Sequence, residues 1–154
     1  MKNYKVVFSS LDDTLVSTLS GNKIPDGVYD MQIKFTTFAK LKKLAPEFIV
    51  IVSNQGEIHK GKVDALSFIS KLNYIKRCLV DYIGCQVFAE YCPTPYIEDK
   101  YRKPNLGMFE RYAELFKHND CSKGDFLMLG CNEDDKKTAE NFGIDFINVL
   151  DFIK

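Results

Sequence analysis

Strand-like and helix-like segments alternate along the 154 residues, which predicts an α/β domain with a mainly parallel sheet and helices on both faces. A second observation supports that class. Residues 48–52 (Phe-Ile-Val-Ile-Val) form an unbroken apolar run of strand length, as a strand buried on both faces requires. A third is that polar clusters follow the strand-like segments. Ligands of open parallel sheets bind at the carboxyl ends of the strands, so those clusters are the candidate site.

Taken in order, residues 5–9 read as a first buried strand. Residues 11–30 are rich in Ser, Thr, Gly and Pro and predict a long loop, with turns over 20–27. Phe35, Phe38, Leu41 and Leu44 recur at helical spacing with lysines between them, and Pro46 bounds the helix they predict. After the 48–52 strand, residues 63–79 predict a second helix whose apolar stripe is Leu66, Ile69, Leu72 and Ile75. Strands are expected over 85–89, 126–129 and 146–149, and helices over 107–116 and 134–142, the last stopped by Gly143.

Length and composition describe one domain, 1–154, able to bury a core without staples. Hydrophobic residues are 45% and charged residues 27%, which excludes a disordered chain. No apolar run reaches the length of a bilayer span and the start lacks a signal-peptide stretch, so the expectation is an intracellular protein, cytoplasmic or nuclear, with no membrane partner. The five cysteines are odd in number and contain no CxxC pair, which fits neither a disulfide framework nor a zinc ribbon. Net charge is zero, so any polynucleotide contact must come from a local patch.

Four polar clusters converge on one predicted sheet edge: Ser10-Leu11-Asp12-Asp13-Thr14-Leu15, Ser53-Asn54-Gln55, Tyr101-Arg102-Lys103-Pro104, and Gly130-Cys131-Asn132-Glu133-Asp134-Asp135. Each acidic pair alone could serve as turn and cap residues. Their succession after separate strands, with Lys103 between them, points instead to a site.

That order resembles the haloacid-dehalogenase superfamily, which carries Asp-x-Asp-x-Thr, then Ser or Thr, then Lys, then Gly-Asp with a further Asp. Ser20-Gly21, Lys23 and Pro25, Asn54-Gln55 with Gly61-Lys62, and Tyr101 to Pro104 followed by Gly107-Met108 are similar to its polynucleotide kinase 3′-phosphatase branch. The resemblance covers nearly the whole chain. It implies a Rossmann-like three-layer sandwich. The segment 58–64 is too short for a sizeable cap domain, which suits a polynucleotide better than a metabolite.

In that family the first Asp attacks phosphorus, the second serves as acid and base, and Ser and Lys hold the phosphoryl oxygens. The resemblance assigns the acid/base to Asp12, the phosphate hydroxyl to Ser53 and the phosphate cation to Lys103. It assigns substrate contacts to Asn54, Gln55, Lys62 and Arg102, and metal carboxylates to Asp12, Asp134 and Asp135. The nucleophile position falls on Ser10 and the first metal Asp of the last motif on Cys131. Serine needs a base to shed its proton, and a neutral thiol is a poor ligand for a hard cation. The resemblance therefore predicts a 3′-phosphatase-type domain with catalysis lost or impaired. Mg²⁺ is the cofactor of an active form, its binding weakened here, and 3′-phosphorylated nucleic-acid ends are the partner. The alternative is an active Mg²⁺-dependent phosphatase on such ends or on a small phosphorylated metabolite. A shifted register, with Asp12 as nucleophile and Thr14 in the second slot, also stays open.

Gly56 to Val63 matches a nucleotide-kinase phosphate loop except at Val63, where Ser or Thr is needed, and reads as chance. His118 reads as a helix-end residue. His59, Lys60, Lys62, Lys100 and Arg102 form a candidate patch for a phosphate backbone. Tyr91, Tyr96 and Tyr101 have the rings to stack on bases, although packing is the commoner use of such residues.

Overall fold

The computed structural model describes residues 1–26 and 28–154, with Val28 described by its backbone alone. Five strands form one parallel sheet: β1 (Val6–Ser9), β4 (Phe48–Asn54), β5 (Gln86–Cys92), β6 (Phe126–Gly130) and β7 (Asp145–Asn148). Their order is β5-β4-β1-β6-β7. The chain leaves β1 in one direction for β4 and β5, then returns to its other side for β6 and β7. The crevice of an open α/β sheet opens at such a reversal, which here is the carboxyl end of β1 between β4 and β6.

Alternation along the central strands divides the core into two layers. Val7, Ile49, Ile51, Leu127 and Leu129 face one side, where they meet Phe38 and Leu41 of α1 (Phe35–Leu44), Leu72, Ile75 and Leu79 of α3 (Ala65–Ile83), and Phe152 of α6 (Val149–Phe152). Val6, Phe8, Val50, Val52 and Met128 face the other, against Met108, Phe109 and Phe116 of α4 (Gly107–Lys117) and Ala139 and Phe142 of α5 (Glu133–Phe142). Phe8 stacks on Phe109 with ring centroids 4.6 Å apart. This is the expected three-layer sandwich. Among the described residues, no helix is long and apolar enough to cross a membrane.

Three expectations need correction. The long loop contains a hairpin, β2 (Val16–Thr18) against β3 (Met31–Ile33), entered through a 3₁₀ turn over Val28–Asp30. Three-residue strands are too short for alternation to reveal them, and their pairing is non-local. A single buried carboxylate closes the hairpin: Asp30 accepts from Ser20 N and Ser20 Oγ, both at 2.6 Å, and from Asp26 N at 2.8 Å. These bonds, the Ser20 hydroxyl foremost, hold Asp30 below its usual carboxylate range. The turns expected over 20–27 run onto Gly27, which lies outside the described residues.

The second correction concerns the stripe of α3. Its buried residues are Phe68, Leu72, Ile75 and Leu79, while Leu66 and Ile69 are exposed. The helix starts later than predicted because Asp64 caps it, accepting from Ser67 N at 2.9 Å, and it runs on to Gly84, whose φ of 83° closes it. Phe68 then falls one turn before Leu72 and meets Tyr91 at 4.9 Å between centroids. Third, two short helices were not foreseen: α2 (Gly56–His59), and α6, whose first residue, Val149, was assigned to the last strand. Since Gly56 to His59 is helical, that segment is not a kinase-type phosphate loop.

Candidate functional site

The site begins where β1 stops. Ser10 is buried, its amide donates to Leu129 O at 3.0 Å, and its hydroxyl shares a 2.5 Å hydrogen bond with Thr14 Oγ1. The chain can turn back so quickly because the amides of Thr14, Leu15 and Val16 all reach Leu11 O. Asp13 sits in that turn at a φ of 61°, a left-handed conformation for which glycine is better suited. Thr14 is buried against Ser10, so it is not presented to solvent as an acid/base would be.

Asp12 projects from the same turn and is half-exposed. Its Oδ2 accepts from Gln55 Nε2 at 2.8 Å, and its Oδ1 lies 3.3 Å from Lys71 Nζ. Gln55 Nε2 also donates to Ser53 Oγ at 2.8 Å, which ties the ends of β1 and β4 together. Asn54, expected among the substrate contacts, is engaged with the neighbouring loop. Its side chain clamps the backbone of Lys103, donating to Lys103 O at 3.0 Å and accepting from Lys103 N at 2.9 Å.

Lys103 is thereby aimed inward, where its Nζ meets Asp135 Oδ1 at 2.6 Å; the two side chains are 4% and 0% exposed. A buried charge without a partner is costly, so this pair depends on both members. Asp135 is fixed from two further sides: its Oδ2 accepts from Cys131 N at 3.0 Å, and its own amide donates to Asn132, the cap of α5, at 2.9 Å. Gly130 permits the approach, since a Cβ there would lie 2.5 Å from Asp135 Oδ2.

Cys131 completes the arrangement. Its thiol reaches Asp12 O at 3.5 Å. Burial is the main cause pushing that thiol upward, and the Asp135 and Asp13 carboxylates push the same way. The Thr14 and Ser10 hydroxyls act against them. The net direction keeps Cys131 a neutral thiol at neutral pH.

The structure thus brings Ser10, Asp12, Ser53, Lys103 and Asp135 to one edge. It does not gather the three expected metal carboxylates. Asp134 is exposed on the first turn of α5, Asp12 is engaged by Gln55 and Lys71, and Asp135 by Lys103 and the Cys131 amide. Among the described residues no three His, Cys, Asp or Glu side chains are grouped to hold a metal ion. Mg²⁺ takes oxygen ligands in strict octahedral geometry. A hydroxyl at 10, a thiol at 131 and a carboxylate already paired do not fit it.

The expected backbone patch divides. Lys60 and Lys62 pair with Glu57 at 3.4 and 3.8 Å and remain exposed. Arg102 spends a donor on Thr94 O, and Lys100 lies over the Tyr101 ring. Lys71 was assigned no role from sequence, and Thr14 only the second slot of the shifted register. Thr14 was visible as the motif's last polar residue, and Lys71 as the polar flank of a stripe, three residues after Phe68 and one before Leu72.

Comparison with solved structures supports the fold. A HAD-like phosphatase from Mesorhizobium loti superposes with a TM-score of 0.71 at 18% identity, over 94% of this chain and 71% of that one. D,D-heptose 1,7-bisphosphate phosphatase from B. bronchiseptica, crystallised with magnesium and phosphate, gives 0.71 at 19%, over 92% and 78%. An uncharacterized 20.8 kDa protein from the FGF-VUBI intergenic region of Autographa californica nuclear polyhedrosis virus is 26% identical over 167 aligned positions. That match covers 99% of this chain and 87% of the relative. The family profile described as polynucleotide kinase 3 phosphatase matches residues 5–149. Matched over nearly all of its length, the chain belongs to the polynucleotide kinase 3 phosphatase family.

Proposed function

We propose that this domain recognises 3′-phosphorylated ends of nucleic acid and has lost most or all of its power to hydrolyse them. One observation carries the reading. Where phosphoryl transfer needs a nucleophile and a metal carboxylate, Ser10, Thr14 and Cys131 form a neutral hydroxyl–thiol cluster, while Ser53 and Lys103 remain beside it. A hydroxyl and a buried ammonium can hold phosphoryl oxygens without attacking phosphorus.

What each residue does follows from its surroundings. Lys103 supplies the charge, and Asn54 and Asp135 aim it. Ser53 offers a donor, oriented by Gln55. Asp12 is kept at the rim by Gln55 and Lys71, placed to accept a proton but with no carboxylate at position 10 to work beside. Ser10 shares its hydroxyl with Thr14, and among the described residues no carboxylate or imidazole is hydrogen-bonded to it.

The test is release of phosphate from a 3′-phosphorylated oligonucleotide in Mg²⁺. The natural chain is expected to release none. Ser10→Asp and Cys131→Asp should each do little alone and restore turnover together, because both would serve one ion. Robust turnover by the unaltered protein would overturn the reading. In parallel, 3′-phosphate ends should bind more tightly than 3′-hydroxyl ends, with affinity falling as salt rises.

A further inference from the structure

Of the three tyrosines near the site, two are already used in packing. Tyr91 lies edge-on to Phe68, and Tyr101 is half-buried under Lys100 and against Gly107. Tyr96 differs. It is 48% exposed, its ring stands 5.1 Å from that of His59 at an interplanar angle of 68°, and its hydroxyl meets His59 Nε2 at 2.8 Å. The imidazole thus props the phenol from one side, and about half of the tyrosine stays open to solvent.

This pair stands on a rigid base, and the same base holds the phosphate groups. His59 closes α2, whose amide donates to Pro93 O at 3.1 Å, and Gln55 N donates to Cys92 O at 2.7 Å. A Cβ on Gly56 would come within 3.0 Å of Pro95 Cα, so the two loops are in contact. At the other end of the same two loops lie Ser53, Gln55 and Lys103, joined by the Asn54 clamp. Lys60 and Lys62, both paired to Glu57 and exposed, flank the pair.

We propose that Tyr96, propped by His59, is a stacking platform for an unpaired nucleobase of the strand whose 3′-phosphate is held at Lys103. The inference rests on the proposed function for the position of the strand. An exposed, preoriented aromatic face beside exposed lysines is what single-stranded nucleic acid binds, and it selects no base because every base offers a π-face.

The experiment titrates the full chain with 5′-fluorescein oligothymidylate ending in 3′-phosphate, its 3′-hydroxyl counterpart, and a 3′-phosphorylated strand with abasic terminal nucleotides. Tyr96→Ala should weaken binding of the intact phosphorylated strand about tenfold, within the range of one stacked base. Tyr96→Phe, which keeps the ring, should stay within about twofold on the same scale. On the abasic strand the natural chain should already be weakened, and Tyr96→Ala should add nothing. Equal affinity of Tyr96→Ala and the natural chain for the intact strand overturns the platform. So does an equal loss on the abasic strand. If the natural chain ignores the 3′-phosphate while Tyr96→Ala still loses affinity, the phosphate reading fails and the platform stands. No binding of any strand overturns both.

Discussion

The two flanks of β1 are built to different standards. On the β4 side, Gln55 holds the Ser53 hydroxyl and Asn54 clamps the backbone of Lys103, so each of these side chains has a hydrogen-bonded orientation. On the β6 side, Ser10, Thr14 and Cys131 form a neutral hydroxyl–thiol cluster, with Asp13 beside it in left-handed conformation. Among the described residues, the Lys103–Asp135 pair is the ionic link between them. The contrast separates two tasks that active phosphatases combine. Holding a phosphoryl group requires donors and one cation. Breaking its ester requires a nucleophile and a metal, and under the proposed function those requirements fall on the β6 side, the altered flank of that reading.

The sharpest way to break this comparison is to cut the link. Asp135→Ala strands a buried ammonium, which should cost about 3–5 kcal/mol of folding stability. Chemical denaturation measures it. A cost of a few tenths would mean that Lys103 escapes to solvent, and that the intact flank is less rigid than its hydrogen bonds indicate.

Next in size is a gain. The Ser10→Asp, Cys131→Asp double variant puts two oxygen ligands on the altered flank, near Asp135. Without metal those carboxylates should lower the melting temperature by like-charge repulsion. With Mg²⁺ at about a hundred times its dissociation constant, binding should return about 2.7 kcal/mol. The natural chain, lacking those ligands, should show no comparable Mg²⁺ response in the same thermal scan. A large response would show that Ser10 and Cys131 do not limit metal binding.

Gly130→Ala sharpens the picture more modestly. The added methyl must displace the Asp135 carboxylate at the end of a buried strand, an overpacking cost of about 1–3 kcal/mol. Its urea midpoint should fall without a change in slope. A neutral outcome would mean that Asp135 can shift while keeping its bond to Lys103.

Much of the molecule could be read without coordinates, for identifiable reasons. The central strands are continuous apolar runs, and the site residues follow them within a few positions, so the direction of a parallel sheet alone places Ser10, Ser53 and Asp135 on one edge. The hairpin of β2 and β3 was hidden because its pairs lie up to 17 residues apart, as between Val16 and Ile33, and its strands have three residues each. The α3 stripe was misplaced because Leu66 and Ile69 are as apolar as its true members; only the Asp64 cap and contact with Tyr91 decide that Phe68 faces inward. Asn54, expected among the substrate contacts, also clamps the Lys103 backbone, a contact that only the conformation of the 92–103 loop creates.

The smallest expected effect concerns Asp13, and it tests whether the altered flank is strained as well as neutral. Its φ of 61° costs a residue bearing a Cβ more than glycine, so Asp13→Gly should stabilise the fold by about 0.5–1 kcal/mol and raise the melting temperature by a few degrees. The same change removes a carboxylate that helps hold the Cys131 thiol up. Alkylation of the Cys131 peptide, followed by mass spectrometry across pH, should therefore begin at lower pH in the variant. Burial, the larger cause, is untouched, so the shift should be partial. Turnover should not appear, because glycine supplies neither nucleophile nor ligand. Phosphate release by Asp13→Gly alone would mean that the Asp13 side chain, by obstructing the pocket, is what silences this flank, and that Ser10 or Asp12 can act as nucleophile once it is gone.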